Sequence, residues 1–334
     1  MAEFEAGAPR ALLLTAGLGT RLRPLTYLRA KAAVPINGEP LVARAIRWLA
    51  RAGIRDQVLN LHYRPETIAA IVGDGAAFGV RVRYSWEQPV LGSAGGPRRA
   101  LPLLVDGRAD DVFLIVNADT LTDLDLHAIV ERHRASGALL TMALIENPRP
   151  DRYGGVQVSA DGWVTGFTRA RDSGLNAQTG FHFIGVQVAK AEAFADLADG
   201  IPAESVNALY PRLIARNPKA IAAHISTAAF LDIGTPRDCL ETSLALAGTE
   251  DPHLVGHRSI VHAGAELSRT VIWDDVEIGA GARLDRCIVG DGARIPQGAV
   301  FDGCAIVPAG DRTPQAGERR EGKLLVKTLE TNVP

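Results

Sequence analysis

Between Ala6 and Gly38 the chain carries five cations, Arg10, Arg21, Arg23, Arg29 and Lys31, and no Asp or Glu. The apolar run Ala11–Leu14 reads as a buried strand that ends just before two glycines, Gly17 and Gly19. Glycines at a strand end let the backbone turn tightly and approach a ligand with no Cβ in the way. Successive N–H groups in such a loop form a concavity that binds anions. Arginine forks can bridge phosphate oxygens, and lysine adds a mobile point charge. The segment Leu12–Lys31 therefore suits a polyphosphate. It is not a P-loop, because no G-x-x-x-x-G-K-[ST] run occurs. Nor is it a dinucleotide fingerprint, since the position three residues after Gly19 is Leu22.

A second candidate for chemistry is Asp119. It follows the continuous apolar run Val112–Val116 in the string Val116-Asn117-Ala118-Asp119-Thr120. A carboxylate just beyond a buried strand is well placed for a hard cation. Asp123 and Asp125 read instead as first-turn residues of the following helix.

The elements that position these residues alternate between short apolar runs and amphipathic stretches. Leu41, Val42, Ala45, Ile46, Leu49 and Ala52 recur at helical spacing before Gly53. Asp56–Leu61 reads as a strand, Pro65–Val72 as a helix, Val80–Trp86 as a strand and Leu126–His133 as a helix. This order implies an α/β, Rossmann-like, mostly parallel sheet with helices on both faces. Ligands of such sheets bind beyond the carboxyl ends of the strands.

From about residue 255 the period changes. Val261, Leu267, Ile272, Ile278, Leu284, Val289, Ile295, Phe301 and Val307 follow one another in steps of five or six. A period near six marks a hexapeptide β-helix, with three short strands to a coil. Cys287 and Cys304, 17 residues apart, should stack on equivalent positions one coil apart. The expected divisions are residues 1–250, a β-helix over 251–312 of about three coils, and a charged tail over 313–334. The tail is one candidate for capping the open end of the solenoid.

Bulk composition sets the outer limits. The 334 residues are 47% hydrophobic and 22% charged, as in an ordinary globular enzyme. A net charge of -2 gives no reason to expect nucleic acid or an anionic membrane as partner. No apolar run approaches the roughly 18 residues needed to span a bilayer. The acidic start MAEFEAGAPR carries no secretory pattern. Three cysteines without a C-x-x-C pair point to a reducing, cytoplasmic setting and away from a thiolate zinc site.

The string Ala16-Gly17-Leu18-Gly19-Thr20-Arg21-Leu22-Arg23-Pro24-Leu25-Thr26, with Lys31 ten residues after Arg21, closely resembles the signature of the sugar-1-phosphate nucleotidyltransferases, also called nucleoside-diphosphate-sugar pyrophosphorylases. The family usually has Pro-Lys where this chain has Ala30-Lys31. The resemblance runs on through Asp232 into the β-helix and is nearest to mannose-1-phosphate guanylyltransferase-like members with a C-terminal left-handed β-helix. It implies transfer of a nucleotidyl group from an NTP to a sugar-1-phosphate, with release of pyrophosphate. It also implies that Arg21 and Lys31 bind the triphosphate and stabilise its transition state, with Ala16, Gly17, Gly19 and Thr20 beside it. Asp119, in the family's Gly-Asp position, and Asp232, in Asp232-Ile233-Gly234-Thr235, would ligate Mg²⁺.

Glu87-Gln88-Pro89-Val90-Leu91-Gly92-Ser93-Ala94-Gly95-Gly96 resembles the family's second nucleotide loop, in which Gly92 and Ser93 would lie by the base. A carboxylate accepts only, and guanine presents a pair of donors, so Glu87 leans towards GTP, while Gln88 keeps UTP open. Pro97 would open the following helix. Tyr153-Gly154 resembles the family's sugar-facing strand. Gly154, Arg169 and Gly185 are the expected contacts for the sugar phosphate. Thr168-Arg169-Ala170-Arg171 replaces the family's Glu-Lys-Pro, and Phe183-Ile184-Gly185 replaces its Asn-Ala-Gly. The latter is more like uridylyltransferases acting on N-acetylmuramic acid phosphate. His182 in that strand reads as structural.

The expected reaction is thus GTP with mannose-1-phosphate, with UTP and N-acetylmuramic acid phosphate or another sugar-1-phosphate as the alternative. A non-catalytic, sugar-nucleotide-binding regulatory subunit is a reading of a different class. Another is a bifunctional enzyme with an acetyltransferase β-helix, for which three coils are few. Assembly into a homo-oligomer is a role open to the β-helix.

Overall fold

A computed structural model of the chain describes residues 7–107, 111–169, 180–248 and 253–329. They form two compact units that interleave along the sequence. One comprises residues up to Gly17 and Val42–Leu231, and the other Leu18–Leu41 and Asp232 onward. The breaks expected at 250 and 312 follow the sequence pattern, whereas the compact units do not.

The first unit is built on a nine-stranded mixed sheet. Strand Arg10–Leu14 lies between Val112–Asn117 and Asp56–Leu61, and Asp56–Leu61 pairs with Arg81–Trp86. All three pairings are parallel, with Leu12 opposite both Val58 and Ile115. Arg10–Leu14 and Val112–Asn117 read as apolar runs because central parallel strands are covered on both faces, whereas the edge strand Arg81–Trp86 is half-exposed. Leu12, Val58, Phe113 and Ile115 belong to one core with Leu140, Met142 and Phe194. The helices that cross between parallel strands start and stop as their sequences dictate. Pro65 opens Pro65–Val72, Asp125 caps Leu126–Ser136 by accepting from the amides of His127 and Ala128, and Gly137 closes it at φ 67°. Asp123 lies outside that helix, and its Oδ1 accepts from Ala229 N at 2.7 Å.

Beyond Leu140 antiparallel pairing enters, although Ile221–Ile225 still runs parallel to Leu140–Glu146. Phe181–Lys190 runs antiparallel to Val112–Asn117, Leu140–Glu146 and Gly155–Val158. No helix separates the strands Leu140–Glu146, Gly155–Val158 and Val164–Thr168, so the chain has no crossover with which to keep its direction.

In the second unit, the coils of the β-helix repeat every 17 residues. Leu254, Val271, Ile288 and Ala305 stack in one sheet, and Val261 and Leu267 begin the columns of the other two. Ile272, Ile278, Leu284, Val289, Ile295 and Phe301 fill the interior. The next inward residue is Ile306, opposite Val289, and not Val307 as the spacing suggested. The five-residue step recurs once in each 17-residue coil, so it falls again after Phe301. Cys287 and Cys304 stack as expected, and both are buried free thiols. Burial pushes the Cys287 thiol up to about 12.

The stretch read as a charged tail contains the antiparallel strands Glu318–Glu321 and Leu324–Thr328. The second pairs antiparallel with Cys304–Pro308 and sends Leu324 and Val326 into the solenoid core. The helix Pro236–Ala247 belongs to the same unit and is opened by a capping box between Thr235 and Asp238.

Candidate functional site

In the first unit, the strand ends meet in a buried polar network. Asn60, next to last in the strand Asp56–Leu61, is 3% exposed. Its Oδ1 accepts from Thr15 N at 2.6 Å and Ala16 N at 3.3 Å, and its Nδ2 donates to Glu87 Oε1 at 2.7 Å. The hydroxyl of Thr15 donates to the carbonyl of Asn60. Glu87 Oε2 accepts from Leu91 N at 2.7 Å, and Glu87 itself is only 4% exposed. Glu87 therefore ties one strand end to another and to the loop that follows, and its carboxylate is turned inward. That removes the support it lent to guanine. Asn60 and Thr15 were missed in the sequence, where neither stands in a motif; only their positions at strand ends could have marked them.

Glu87 is followed by a glycine-rich helix, Gly92–Leu104, which opens five residues before Pro97. Its first amides do not need Pro97 as a start, because Ala94 N and Gly95 N both donate to Ala203 O. Gly92 has φ 77°, and a Cβ there would lie 2.7 Å from Glu204 Oε1. A Cβ on Gly96 would lie 2.6 Å from Glu87 Oε1. Ser93 Oγ donates to Glu204 Oε2 at 2.8 Å and accepts from Ser205 N at 2.9 Å. Packing against Ala203, Glu204 and Glu87 thus accounts for the glycines of this loop.

Asp119 sits half-buried in the turn that ends Val112–Asn117, as a carboxylate beyond a parallel strand should. Two residues earlier, Asn117 packs on Gly185, where φ is 79° and a Cβ would come within 2.8 Å of the amide. Gly185 thus makes room for Asn117 in the irregular stretch between Phe183 and Gln187. Gly154 is exposed, and a Cβ on it would meet the carbonyl of Thr168 at 2.8 Å. Arg169 follows that carbonyl and is exposed, and Arg171 lies outside the described residues.

Beside Gly154 three rings gather. Tyr153 lies 4.5 Å from His182 and 5.6 Å from Phe230, and His182 lies 4.8 Å from Phe230. Arg149 and Arg152 place their guanidinium carbons 5.8 and 5.3 Å from the Tyr153 ring. Burial holds His182 below the usual imidazole range, against a weaker pull from the Gly154 carbonyl. His182 is accordingly a neutral member of an aromatic cluster.

In the second unit, Gly19 turns the chain at φ 61°. A Cβ there would lie 2.8 Å from Thr26 Cγ2 and 3.2 Å from Lys31 Cβ, so Gly19 brings Lys31 back beside the turn. Thr26 Oγ1 closes the loop by donating to Gly19 O at 2.9 Å. Thr20 and Arg21 follow in an exposed 3₁₀ turn. Arg21 Nη1 and Asp232 Oδ2 each come within 3.2 Å of the Cβ that Gly234 lacks, with Asp238 Oδ2 at 3.4 Å. Arg21 and Asp232 therefore converge on one glycine. Asp238 went unread in the sequence. It accepts from Gly234 N at 3.1 Å and Thr235 N at 2.8 Å, and so fixes the turn that carries Asp232.

Among the described residues no three His, Cys, Asp or Glu side chains cluster as a metal cage. Magnesium does not need one, since it is commonly held by one or two carboxylates plus substrate phosphates and water. Asp119 and Asp232 offer oxygen donors without thiol or imidazole, which is the donor chemistry a hard cation takes. No helix among the described residues is long and apolar enough to cross a membrane.

Residues 10–248 match the family model described as nucleotidyl transferase, and residues 246–303 match that of the GlmU-like C-terminal hexapeptide. A mannose-1-phosphate guanylyltransferase of Mycobacterium tuberculosis is 29% identical over 280 residues, covering 80% of this chain and 76% of that protein. An N-acetylmuramate alpha-1-phosphate uridylyltransferase of Neisseria meningitidis serogroup B is 34% identical over 244 residues, covering 72% of this chain and 98% of that one. Among solved structures, HddC from Yersinia pseudotuberculosis shares the fold with a TM-score of 0.61 at 22% identity, covering 71% of this chain and 99% of that one.

Proposed function

The chain belongs to the nucleotidyl transferase family, whose enzymes form a nucleoside-diphosphate sugar from an NTP and a sugar-1-phosphate, and within it we propose that this member couples GTP to mannose-1-phosphate. The observation that supports mannose-1-phosphate over N-acetylmuramic acid 1-phosphate is architectural; it bears on the sugar and leaves the base to the test below. The match to the mycobacterial guanylyltransferase covers 80% of 334 residues, about 267, and so must extend past residue 248 into the β-helix. The match to the uridylyltransferase covers 72%, about 240 residues, no more than the nucleotidyl transferase segment needs.

In this reading the glycine turn at Gly17 and Gly19 cradles the phosphates, with Ala16 and Thr20 beside it. Arg21 and Lys31 neutralise the triphosphate and the charge that develops on leaving pyrophosphate. An oxygen of the sugar phosphate attacks the α-phosphorus; a new P–O bond forms as the α–β anhydride bond breaks, and pyrophosphate departs. No nucleophilic side chain takes part, so the protein contributes positioning and charge stabilisation. Asp119 and Asp232 would hold Mg²⁺, which supplies charge neutralisation and polarisation of the α-phosphoryl group when bound. Gly92 and Ser93 border the base, and Gly154, Arg169 and Gly185 border the sugar phosphate.

A second reading has a specific observation in its favour. Arg149 and Arg152 stand over Tyr153 next to Gly154, which suits a sugar bearing a carboxylate. That is the chemistry of N-acetylmuramic acid phosphate, with UTP as its partner. The test is a panel of NTPs and sugar-1-phosphates with Mg²⁺, read as pyrophosphate release. Turnover of GTP with mannose-1-phosphate is expected. Turnover confined to UTP with N-acetylmuramic acid 1-phosphate would establish the second reading, and no release with any pair would overturn both.

A further inference from the structure

The segment Leu18–Leu41 folds with the β-helix in the second unit, and three of its consecutive residues, Tyr27, Leu28 and Arg29, contact residues between Asp274 and Glu318. Arg29 Nε donates to Asp291 Oδ2 at 2.6 Å, and its Nη2 donates to Asp291 Oδ1 at 2.6 Å and to Asp274 Oδ2 at 2.7 Å. Its side chain is 18% exposed, and its guanidinium carbon is 5.4 Å from the Trp273 ring. The two aspartates lie one coil apart and are themselves held. Asp291 Oδ1 accepts from Asp274 N at 3.1 Å, and Asp274 Oδ1 accepts from His257 N at 2.8 Å. Leu28 reaches the coil at Gly290, where a Cβ would come within 2.6 Å of Leu28 Cδ1. Tyr27 donates its hydroxyl to Glu318 Oε2 at 3.4 Å, and Arg312 donates to the Tyr27 carbonyl at 3.4 Å.

Between Thr20 and Ala33 the segment itself has only three 3₁₀ turns of three residues each. Such turns have poor hydrogen-bond geometry and do not hold a loop rigid alone. A bidentate, part-buried arginine pair does hold position, because its planar fork fixes angle as well as distance. The anchored residues lie between Arg21 and Lys31 in sequence. We propose that Arg29 is a positioning residue, through which Asp274 and Asp291 of the β-helix set the geometry of the phosphate-binding loop. The proposal rests on the reading that this loop binds the NTP. Arg29 touches no substrate in it, and the β-helix becomes a working part of nucleotide binding.

The test uses the full chain as Arg29→Ala, Arg29→Lys and the double variant Asp274→Asn/Asp291→Asn. GTP, or whichever NTP the substrate panel selects, is titrated against pyrophosphate release, and amide hydrogen exchange is followed over residues 18–31. In Arg29→Ala and the double variant, KM for the NTP should rise about tenfold or more, since small misplacements of binding groups cost that much. KM for the sugar phosphate should stay within about twofold, as no contact of Arg29 serves it. Exchange in the loop should quicken, and Arg29→Lys should recover part of both effects by restoring charge without the fork. A fall in kcat at unchanged NTP KM and unchanged loop exchange would mark a merely structural pair and overturn the proposal. Arg21→Ala separates the two levels. If it leaves pyrophosphate release intact, the phosphate-loop reading itself fails. If it abolishes release while the Arg29 variants bind the NTP normally, only the positioning role fails.

Discussion

Arg21 and Asn60 stand for two kinds of site residue, and their substitutions should fail differently. Arg21 is exposed, so Arg21→Ala should leave the thermal midpoint within about 1 °C while cutting kcat/KM for pyrophosphate release by about a hundredfold or more. Asn60 is buried and serves Thr15, Ala16 and Glu87 at once. Asn60→Ala would strand two amide donors and one carboxylate oxygen in a dry site, at a cost of about 3 kcal/mol. Calorimetry should show that loss even without substrate. The contrast also shows what a sequence reveals at this scale. Arg21 and Lys31 stand out because an acid-free, glycine-rich stretch has few other uses. The inward orientation of Glu87 is not legible, because its partner Asn60 lies 27 residues away on a separate strand. Asp238 stands in no motif that the sequence singles out, and only the fold shows that it fixes the turn bearing Asp232.

At the scale of elements, the helix Leu126–Ser136 and the strand Leu140–Glu146 are joined by one titratable pair. His133 is fully buried, with Nδ1 2.9 Å from Thr141 Oγ1. Burial, with smaller contributions from Lys190 and Arg134, holds its pKa at about 4, below the unfolded value of 6.5. The unfolded chain therefore binds the proton first as pH falls. His133 contributes its full stability above pH 6.5, and that contribution is lost as pH drops through the window down to about 4. His133→Gln keeps a polar partner for Thr141 without the titration. Its stability should fall less steeply than the parent's from pH 6.5 to 4, by about 3 kcal/mol at the lower end, as measured by denaturant unfolding at stepped pH. Parallel slopes would show that His133 takes up protons readily in the fold. Elements were legible wherever one period dominated, as in Leu41–Arg51 and the 17-residue coils. They were not where charges masked an alternation: Leu324 and Val326 point into the solenoid core from a stretch whose charges made it look like a tail.

For the whole molecule, linear order and compactness disagree, and that disagreement makes a prediction. The sequence pattern cuts the chain near residue 250, and the matched family segment ends at 248. The compact units instead group Leu18–Leu41 with everything from Asp232 onward. A chain stopped after Gly248 would keep every residue assigned here to nucleotide, sugar phosphate and metal. It would lack Asp274, Gly290, Asp291, Arg312 and Glu318, the residues that Tyr27, Leu28 and Arg29 pack on. The segment would keep, in its own unit, the approach of Arg21 to Gly234 and the hold of the helix Pro236–Ala247, where Ser243 Oγ accepts from Asn37 N at 3.2 Å and Cys239 packs under Pro35. A domain drawn from sequence alone should tolerate the cut. If compactness is the better guide, the truncated chain should melt lower and bind its NTP about tenfold more weakly or worse, with the sugar phosphate less affected. Calorimetry and NTP titrations on the cut and full chains decide between the two. An unchanged NTP KM in the cut chain would mean that the contacts left within residues 1–248 order the loop without the β-helix.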